Sequence, residues 1–176
     1  MYKDKPTLNL DALRDSVAFS VRLSQAAIDA IDVGTTLDPA GDAALAAARG
    51  YVAGGARNNA LRRAAMDAYR AAQRVGAGPA FHALHSVSAA AGAAFLHPPG
   101  GSTDAHQTKH ILGAAVQYVL CIEASGGDSM AALDSVVQRA PDAIKELLRM
   151  YPEPVAGKQR YGAVLVMLYR SITQSE

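Results

Sequence analysis

The stretch Ser86-Val-Ser-Ala-Ala-Ala-Gly-Ala-Ala94 decides which fold this chain can adopt. Its side chains are small, so a helix formed here can approach a second helix almost backbone to backbone. Gly78-Pro79 precedes it, and proline is well tolerated in the first turn of a helix, which predicts a helix from Ala80 to about Leu96. We therefore expect a tightly packed central helix whose neighbour is the next helix along the chain.

Glycine, proline and capping residues divide the rest of the chain into further amphipathic helices. The expected segments run from Thr7 or Asn9 to Gly34, from Asp38-Pro39 to Gly54-Gly55, from Asn58 or Asn59 to Gly76, from an Asp104 cap with Gln107 as capping-box partner to Gly126-Gly127, from Ser129 to Arg139, from Asp142 to Met150, and from about Gly157 to Thr173. No segment alternates as a strand would. The prediction is an all-α, compact bundle of about seven helices, forming a single domain over residues 1–176.

Composition excludes several classes of protein. Half of the 176 residues are hydrophobic, which is enough for a core without disulfides or metals. The net charge is only +1, and this argues against the clustered basic surface that nucleic acid binding needs. No apolar run reaches the roughly 18 residues of a membrane span, and the N-terminus lacks the apolar core of a signal peptide. A cytoplasmic protein without a membrane anchor is expected, with its one cysteine, Cys121, buried and inert.

Five histidines form the best candidate for chemistry. His82 and His85 lie one turn apart on the fourth helix, His106 and His110 lie one turn apart on the fifth, and His97 lies between them. Two such pairs on adjacent helices could bind zinc or iron. Neither helix carries Glu-x-x-His or His-Glu-x-x-His, so ordinary hydrogen-bonded histidines are the competing interpretation.

Catalytic motifs are otherwise missing from the sequence. The Gly-Gly pairs end helices or fill loops and do not follow a strand, which is the wrong context for dinucleotide or phosphate-loop binding. Ser86 and Ser88 lie too close in sequence to His82 and His85 to form a serine triad. We therefore expect no enzymatic activity and no cofactor.

Recognition of a partner would use exposed residues. Arg63, Arg70 and Arg74 share one face of the third helix with Asp67, which is typical either of a surface for an acidic partner or of an ordinary solvated face. The loop region from His97 to Lys109 and the connection from Pro152 to Arg160 are the other candidates. Tyrosines could add to such an interface, although on helices they usually edge a core; those considered are Tyr51, Tyr69, Tyr118, Tyr161 and Tyr169.

Three segments carry a resemblance to a known family: Ala47-Ala-Arg-Gly-Tyr-Val-Ala-Gly54, Arg62-Arg-Ala-Ala-Met-Asp-Ala-Tyr-Arg-Ala-Ala72, and His85 to His97 leading to His110-Ile-Leu-Gly-Ala-Ala-Val-Gln-Tyr118. Between Ala44 and Glu123 the chain resembles the immunity proteins of bacterial polymorphic toxin systems, specifically their Ala- and His-rich all-helical family numbered five. It departs from that pattern at Tyr69, where the family tends to have histidine, and in the Pro-Gly loop that separates His97 from His110.

The resemblance implies a small cytoplasmic protein that binds and neutralises a toxin made by the same cell. Partner binding would then use Arg63, Arg70, Arg74 and His97. Two alternatives stay open from the residues themselves. One is a metal-binding helical protein that uses His82, His85, His106 and His110, and the other is an oligomer or scaffold built on the small-residue fourth helix.

Overall fold

A computed structural model describes residues 8–31 and 34–175 of the chain. Over these residues the chain forms eight α-helices and no strand, which confirms the all-α prediction. The helices are α1 (Leu10–Asp29), α2 (Pro39–Val52), α3 (Asn59–Val75), α4 (Pro79–Gly92), α5 (Asp104–Ala124), α6 (Ser129–Arg139), α7 (Asp142–Arg149) and α8 (Arg160–Gln174), and a 3-10 turn, Ala93–Phe95, extends α4. None of these helices is both long and apolar enough to cross a membrane.

The helix starts follow from capping side chains. Asn9, Asp38 and Asn58 each accept a hydrogen bond from a backbone N–H of the first turn that follows, as expected of these residue types. Thr7, the alternative start predicted for α1, lies outside the described residues. The predicted cap of α5 is wrong by one residue, because Thr103 holds the cap position and the Asp104 carboxylate accepts from the N–H groups of the two loop glycines before it.

Two other boundaries differ from the sequence prediction. Helix α1 ends at Asp29 and not at Gly34, because the N–H of Ile31 turns back to the carbonyl of Ile28 and tightens the last turn. Helix α8 begins at Arg160, three residues after the predicted start. There the preceding chain folds back on the first turn: a Cβ at Gly162 would stand 2.6 Å from the backbone nitrogen of Gly157. Only glycine at position 162 allows this approach.

Helix α4 is the centre of the bundle, as the small-residue stretch predicts. It packs against α1, α2, α3 and α5, while α6, α7 and α8 complete the far side around α5. The contact between α4 and α5 is close, since a Cβ at Gly113 would stand 3.2 Å from the Cβ of Ala89. One continuous hydrophobic cluster includes buried residues from all eight helices.

A buried chain of serines joins three of these helices. Ser86 on α4 donates its hydroxyl hydrogen to the carbonyl of Ala114 on α5 at 3.0 Å, so the Ser24 hydroxyl of α1 is the donor in the 3.0 Å bond to the Ser86 oxygen. By contrast, the buried hydroxyls of Ser16 and Ser20, on the same face of α1, have no hydrogen-bond partner among the described residues. Neighbouring serines on one helix therefore differ in what they contribute to stability.

Replacing Ser86 by alanine should destabilise the fold, because the buried Ser24 hydroxyl would lose its acceptor. The expected cost is about 1–3 kcal/mol in the free energy of unfolding, measured by urea denaturation. The matched control is Ser20→Ala, which removes an unpartnered buried hydroxyl and should be neutral or stabilising. Equal losses in the two variants would contradict the hydrogen-bond chain.

The two helical glycines Gly162 and Gly92 should respond to alanine in opposite ways. Gly162→Ala forces backbone atoms apart and should cost about 1–3 kcal/mol despite the better helix propensity of alanine. Gly92 has helical backbone angles and nothing within 4 Å of its missing Cβ, so Gly92→Ala should stabilise by about 0.5–1 kcal/mol. Thermal and urea unfolding of both variants measure the difference, and the same sign in both would argue against the close approach at Gly162.

Candidate functional site

Three adjoining hollows form a groove along the bundle, and Tyr161 lines all three. We call it the Tyr161 groove. Its parts measure about 420 Å³ between α3, α4 and α5, about 550 Å³ between α4, α5 and α8, and about 390 Å³ between α5, the connection before α8, and α8 itself. The first part is lined by Ala65, Met66, Tyr69, His85, Ser88, Ala89, Gly92, His106, Lys109, His110, Gly113, Gln117 and Tyr161.

The floor of the groove exists because small residues bring α4 and α5 together. A Cβ at Gly113 would stand at an ordinary contact distance, 3.6 Å, from the Tyr161 hydroxyl oxygen, so Tyr161 lies across α5 next to this glycine. Burial raises the pKa of Tyr161 to about 12, and the phenol is therefore neutral at physiological pH. The centre of the groove is an uncharged aromatic ring with a polar hydroxyl.

His85 is held in the wall of the groove by an amide and two rings. The amide nitrogen of Gln73 lies 3.1 Å from its Nε2, which makes Nε2 the acceptor. The rings of Tyr69 and Phe81 meet the imidazole edge-on, with centroids 5.1 Å and 4.4 Å away. Burial, and secondarily the nearby His82, lower the pKa of His85, so its neutral form prevails at physiological pH.

The second histidine pair lies on the opposite wall, on α5. His106 is exposed, whereas His110 is half-buried. Burial lowers the pKa of His110 most, the charge of His97 lowers it further, and a hydrogen bond with the backbone of Gly92 acts in the opposite direction. This part of the groove thus contains a second histidine that favours its neutral form.

His82 turns away from the other three predicted ligands and lies in the α8 part of the groove. Its Nδ1 is 2.7 Å from the amide oxygen of Gln117, so Nδ1 carries the hydrogen. The described residues include no group of three or more His, Cys, Asp or Glu side chains that could hold a metal ion. His82, His85, His106 and His110 therefore do not converge on one point, and the four-histidine metal hypothesis has no geometric support.

The arginines predicted for partner binding lie outside the groove. Arg70 pairs with Asp67 at 3.0 Å, and Arg74 pairs at 3.2 Å with Asp38, the cap of α2. Arg63 is exposed on the same face. Each of these arginines comes one residue after a position on the stripe that contains Met66 and Tyr69. Each is therefore rotated by about 100° around the axis of α3 relative to that stripe. At His97, the backbone N–H donates to the Gln107 side chain and the imidazole is exposed.

Gln107 has a different role from the capping box that the sequence predicted. It is buried, its oxygen accepts from the N–H of His97 at 2.9 Å, and its nitrogen donates to the carbonyl and hydroxyl oxygens of Thr103 at 3.2 and 3.1 Å. One amide therefore joins both ends of the loop before α5. The Tyr151 hydroxyl, which donates to the carbonyl of His97, anchors this loop from the other side.

The serine hydroxyls considered for catalysis bond to backbone atoms. Ser86 donates to Ala114, and Ser88 donates to the carbonyl of Ala65 at 2.8 Å, so both tie α4 to a neighbouring helix. Cys121 is buried as predicted, and burial raises the pKa of its thiol to about 11, which keeps it protonated.

Sequence reasoning missed the groove residues Met66 and Gln117 and gave Tyr69 and Tyr161 no special place among the tyrosines. A signal was present in α3, where Met66 and Tyr69 stand outside the stripe of core positions that begins at Leu61 and Ala65. An amphipathic helix with apolar residues outside its core stripe indicates a second contact surface.

Comparisons of the chain with models of protein families, with curated proteins and with solved structures found no match.

The two half-buried histidines, His85 and His110, should make stability depend on pH. Their pKa values lie below the usual 6.5 in the fold, so the unfolded chain binds protons first as pH falls. The free energy of unfolding should therefore keep its full value above about pH 6.5 and decline below it. Urea denaturation between about pH 7.5 and pH 5.5 measures this change.

Removing one of these histidines should make that decline smaller. We expect His85→Gln and His110→Gln each to flatten the dependence on pH more than the control His106→Gln, which alters an exposed histidine. Identical slopes in all four proteins would contradict the assignment.

Proposed function

We propose that this chain is a non-enzymatic, cytoplasmic protein-binding module that binds and neutralises a cognate bacterial toxin, and that the partner docks in the Tyr161 groove. One observation carries the choice of surface: a concave, largely uncharged groove with exposed apolar and aromatic side chains on its rim. Catalysis is not needed for this function, because occupying the active site or the substrate groove of a toxin is enough.

The rim supplies residues of the kind that dominate protein interfaces. Met66 and Tyr69 lie one turn apart on α3 and are 45% and 44% exposed. Both methionine and tyrosine are enriched at interfaces, and tyrosine adds contact area at a low entropic cost because it has only two side-chain torsions. Apolar side chains exposed beside a groove are costly to leave in water, and a partner that covers them removes that cost.

The groove walls are fixed before any partner arrives. The bonds of Gln73 to His85 and of Gln117 to His82, with the edge-on ring of Tyr69, hold these side chains in one arrangement. A surface that needs little ordering on binding keeps more of its interaction energy as affinity. This favours a binding surface of defined shape over a flexible one.

Charge around the groove favours a partner with an acidic rim. Glu123 is the one carboxylate among the described residues that line it. The Arg160 guanidinium lies 2.7 Å from this carboxylate, and the contact lowers the pKa of the carboxyl. Lys109 and Lys158 line the third part of the groove and are not among the ion-paired residues in the described part of the chain. Acidic groups on a partner would meet these lysines and speed association.

The toxin as partner class rests on the sequence resemblance, and the groove supplies a physical surface for it. Of the three segments that carry the resemblance, the second contains Met66 and Tyr69 and the third contains His85 and His110. Two of the three resembling segments therefore contribute to the α3, α4 and α5 walls of the groove.

Substitution of one rim residue by glutamate tests whether the partner docks in this groove or elsewhere on the surface. The chain is co-expressed with the product of each gene that borders its own, and complexes are isolated by size-exclusion chromatography while protection of the cells from growth arrest is scored. Met66→Glu should weaken binding by at least about tenfold, since it places a charge in an apolar contact. Met130→Glu is the matched control, because Met130 is 48% exposed on α6 and lines no part of the groove.

The possible outcomes test two claims separately: that the chain binds a toxin, and that the toxin docks in the Tyr161 groove. Binding and protection that survive Met130→Glu but not Met66→Glu support both. A stable complex that tolerates both substitutions would retain the function and reject the groove. Absence of binding to every neighbouring gene product would reject the function itself.

A further inference from the structure

A separate small hollow of about 190 Å³ lies between the start of α3 and the loop after the 3-10 turn. It is lined by Arg57, Asn58, Asn59, Arg62, Phe95 and His97. All of these residues except Phe95 are polar or charged and exposed to solvent. The hollow shares no lining residue with the Tyr161 groove.

Two arginines are positioned here by one aromatic ring. The guanidinium carbon of Arg62 lies 4.5 Å from the centroid of Phe95, and that of Arg57 lies 6.0 Å from the same centroid. Arg57 also donates from Nη1 to the carbonyl of Ala94 at 3.4 Å. A guanidinium that stacks on a ring keeps its N–H edge free for an anion, and its orientation costs less entropy on binding.

His97 adds a further donor at the edge of this hollow. Its backbone N–H bonds to the Gln107 oxygen, which fixes the orientation of that amide, and the Gln107 nitrogen faces the imidazole Nδ1 at a long 3.5 Å. Nδ1 is then the acceptor, and the hydrogen of the neutral ring lies on Nε2. Nε2 is thereby left as a donor for a ligand.

Within residues 8–31 and 34–175, no carboxylate compensates the charge of the hollow. Its lining in the described part of the chain contains no Asp or Glu, and the ion pairs found there use neither Arg57 nor Arg62. Two guanidinium groups that reach one cavity from a loop and from a helix match a doubly charged tetrahedral group better than a singly charged, planar carboxylate. The first N–H groups of α3, which have no acceptor within the helix, add to the same field.

We propose that this hollow binds a phosphate dianion, either free inorganic phosphate or the phosphate of a small monoester, with Arg57 and Arg62 as the principal donors. The proposal is independent of the toxin-binding function. Its site, ligand and test involve neither the Tyr161 groove nor a protein partner.

Titration of the full chain with inorganic phosphate tests it directly. The probe is the Nε–Hε resonance of each arginine in ¹H–¹⁵N spectra, recorded at mildly alkaline pH and at ionic strength held constant with chloride. Saturable shifts are expected for Arg57, Arg62 and the amide of His97. A second titration with phenyl phosphate distinguishes the sources: equal or tighter binding indicates a monoester as ligand, and much weaker binding indicates the free ion.

Arg62→Gln should weaken phosphate binding by at least about tenfold, as expected for loss of a charge-assisted hydrogen bond. Arg63→Gln is the matched control, since it removes the same charge from the next position of α3, outside the hollow. Arg57→Gln should act like Arg62→Gln, and circular dichroism verifies that each variant is folded. Absence of saturable shifts at tens of millimolar phosphate, or equal weakening by Arg62→Gln and Arg63→Gln, would overturn the proposal.

Discussion

The close approach of α4 to α5 is the constraint on which the rest of the structure depends. At Gly113 there is room for a hydrogen atom but little for a methyl group, because Ala89 lies directly across the interface. At this separation a short side chain on one helix reaches the backbone of the other. The Ser86 hydroxyl donates a buried hydrogen bond to the Ala114 carbonyl and accepts another from Ser24. Packing of small residues thus holds α4 against α5, and a satisfied polar chain joins these two helices to α1.

The same constraint explains why a groove opens beside the core. Small residues that let two helices meet leave little side-chain bulk along their shared edge, so larger residues of flanking helices form walls around an unfilled space. Tyr69 from α3 and Tyr161 from α8 are two of these walls. Binding surface and core packing therefore share one feature, since a Cβ at Gly113 would press on Ala89 of α4 and would also contact the hydroxyl of Tyr161.

The histidines show how rotation about a helix axis limits inference from spacing. His82 and His85 lie about one turn apart on the same helix, yet one bonds to Gln117 beside α8 and the other to Gln73 of α3. Their spacing predicts that the two imidazole rings lie close together, whereas their hydrogen-bond partners decide the direction in which each ring points. Each amide also fixes the tautomer of its histidine: His82 donates a ring N–H to the Gln117 oxygen, and His85 accepts a hydrogen bond from the Gln73 nitrogen.

The sequence by itself determined the helices, most of their ends and the identity of the central one, because capping, proline placement and side-chain size act within a few residues. Asn9, Asp38 and Asn58 cap as residue type predicts. Only the tertiary structure decided which way each side chain faces, where Gln107 finds its partners, and that Arg57 and Arg62 share the ring of Phe95. Those contacts join residues distant along the chain, and they depend on the angles at which helices cross, which local sequence does not specify.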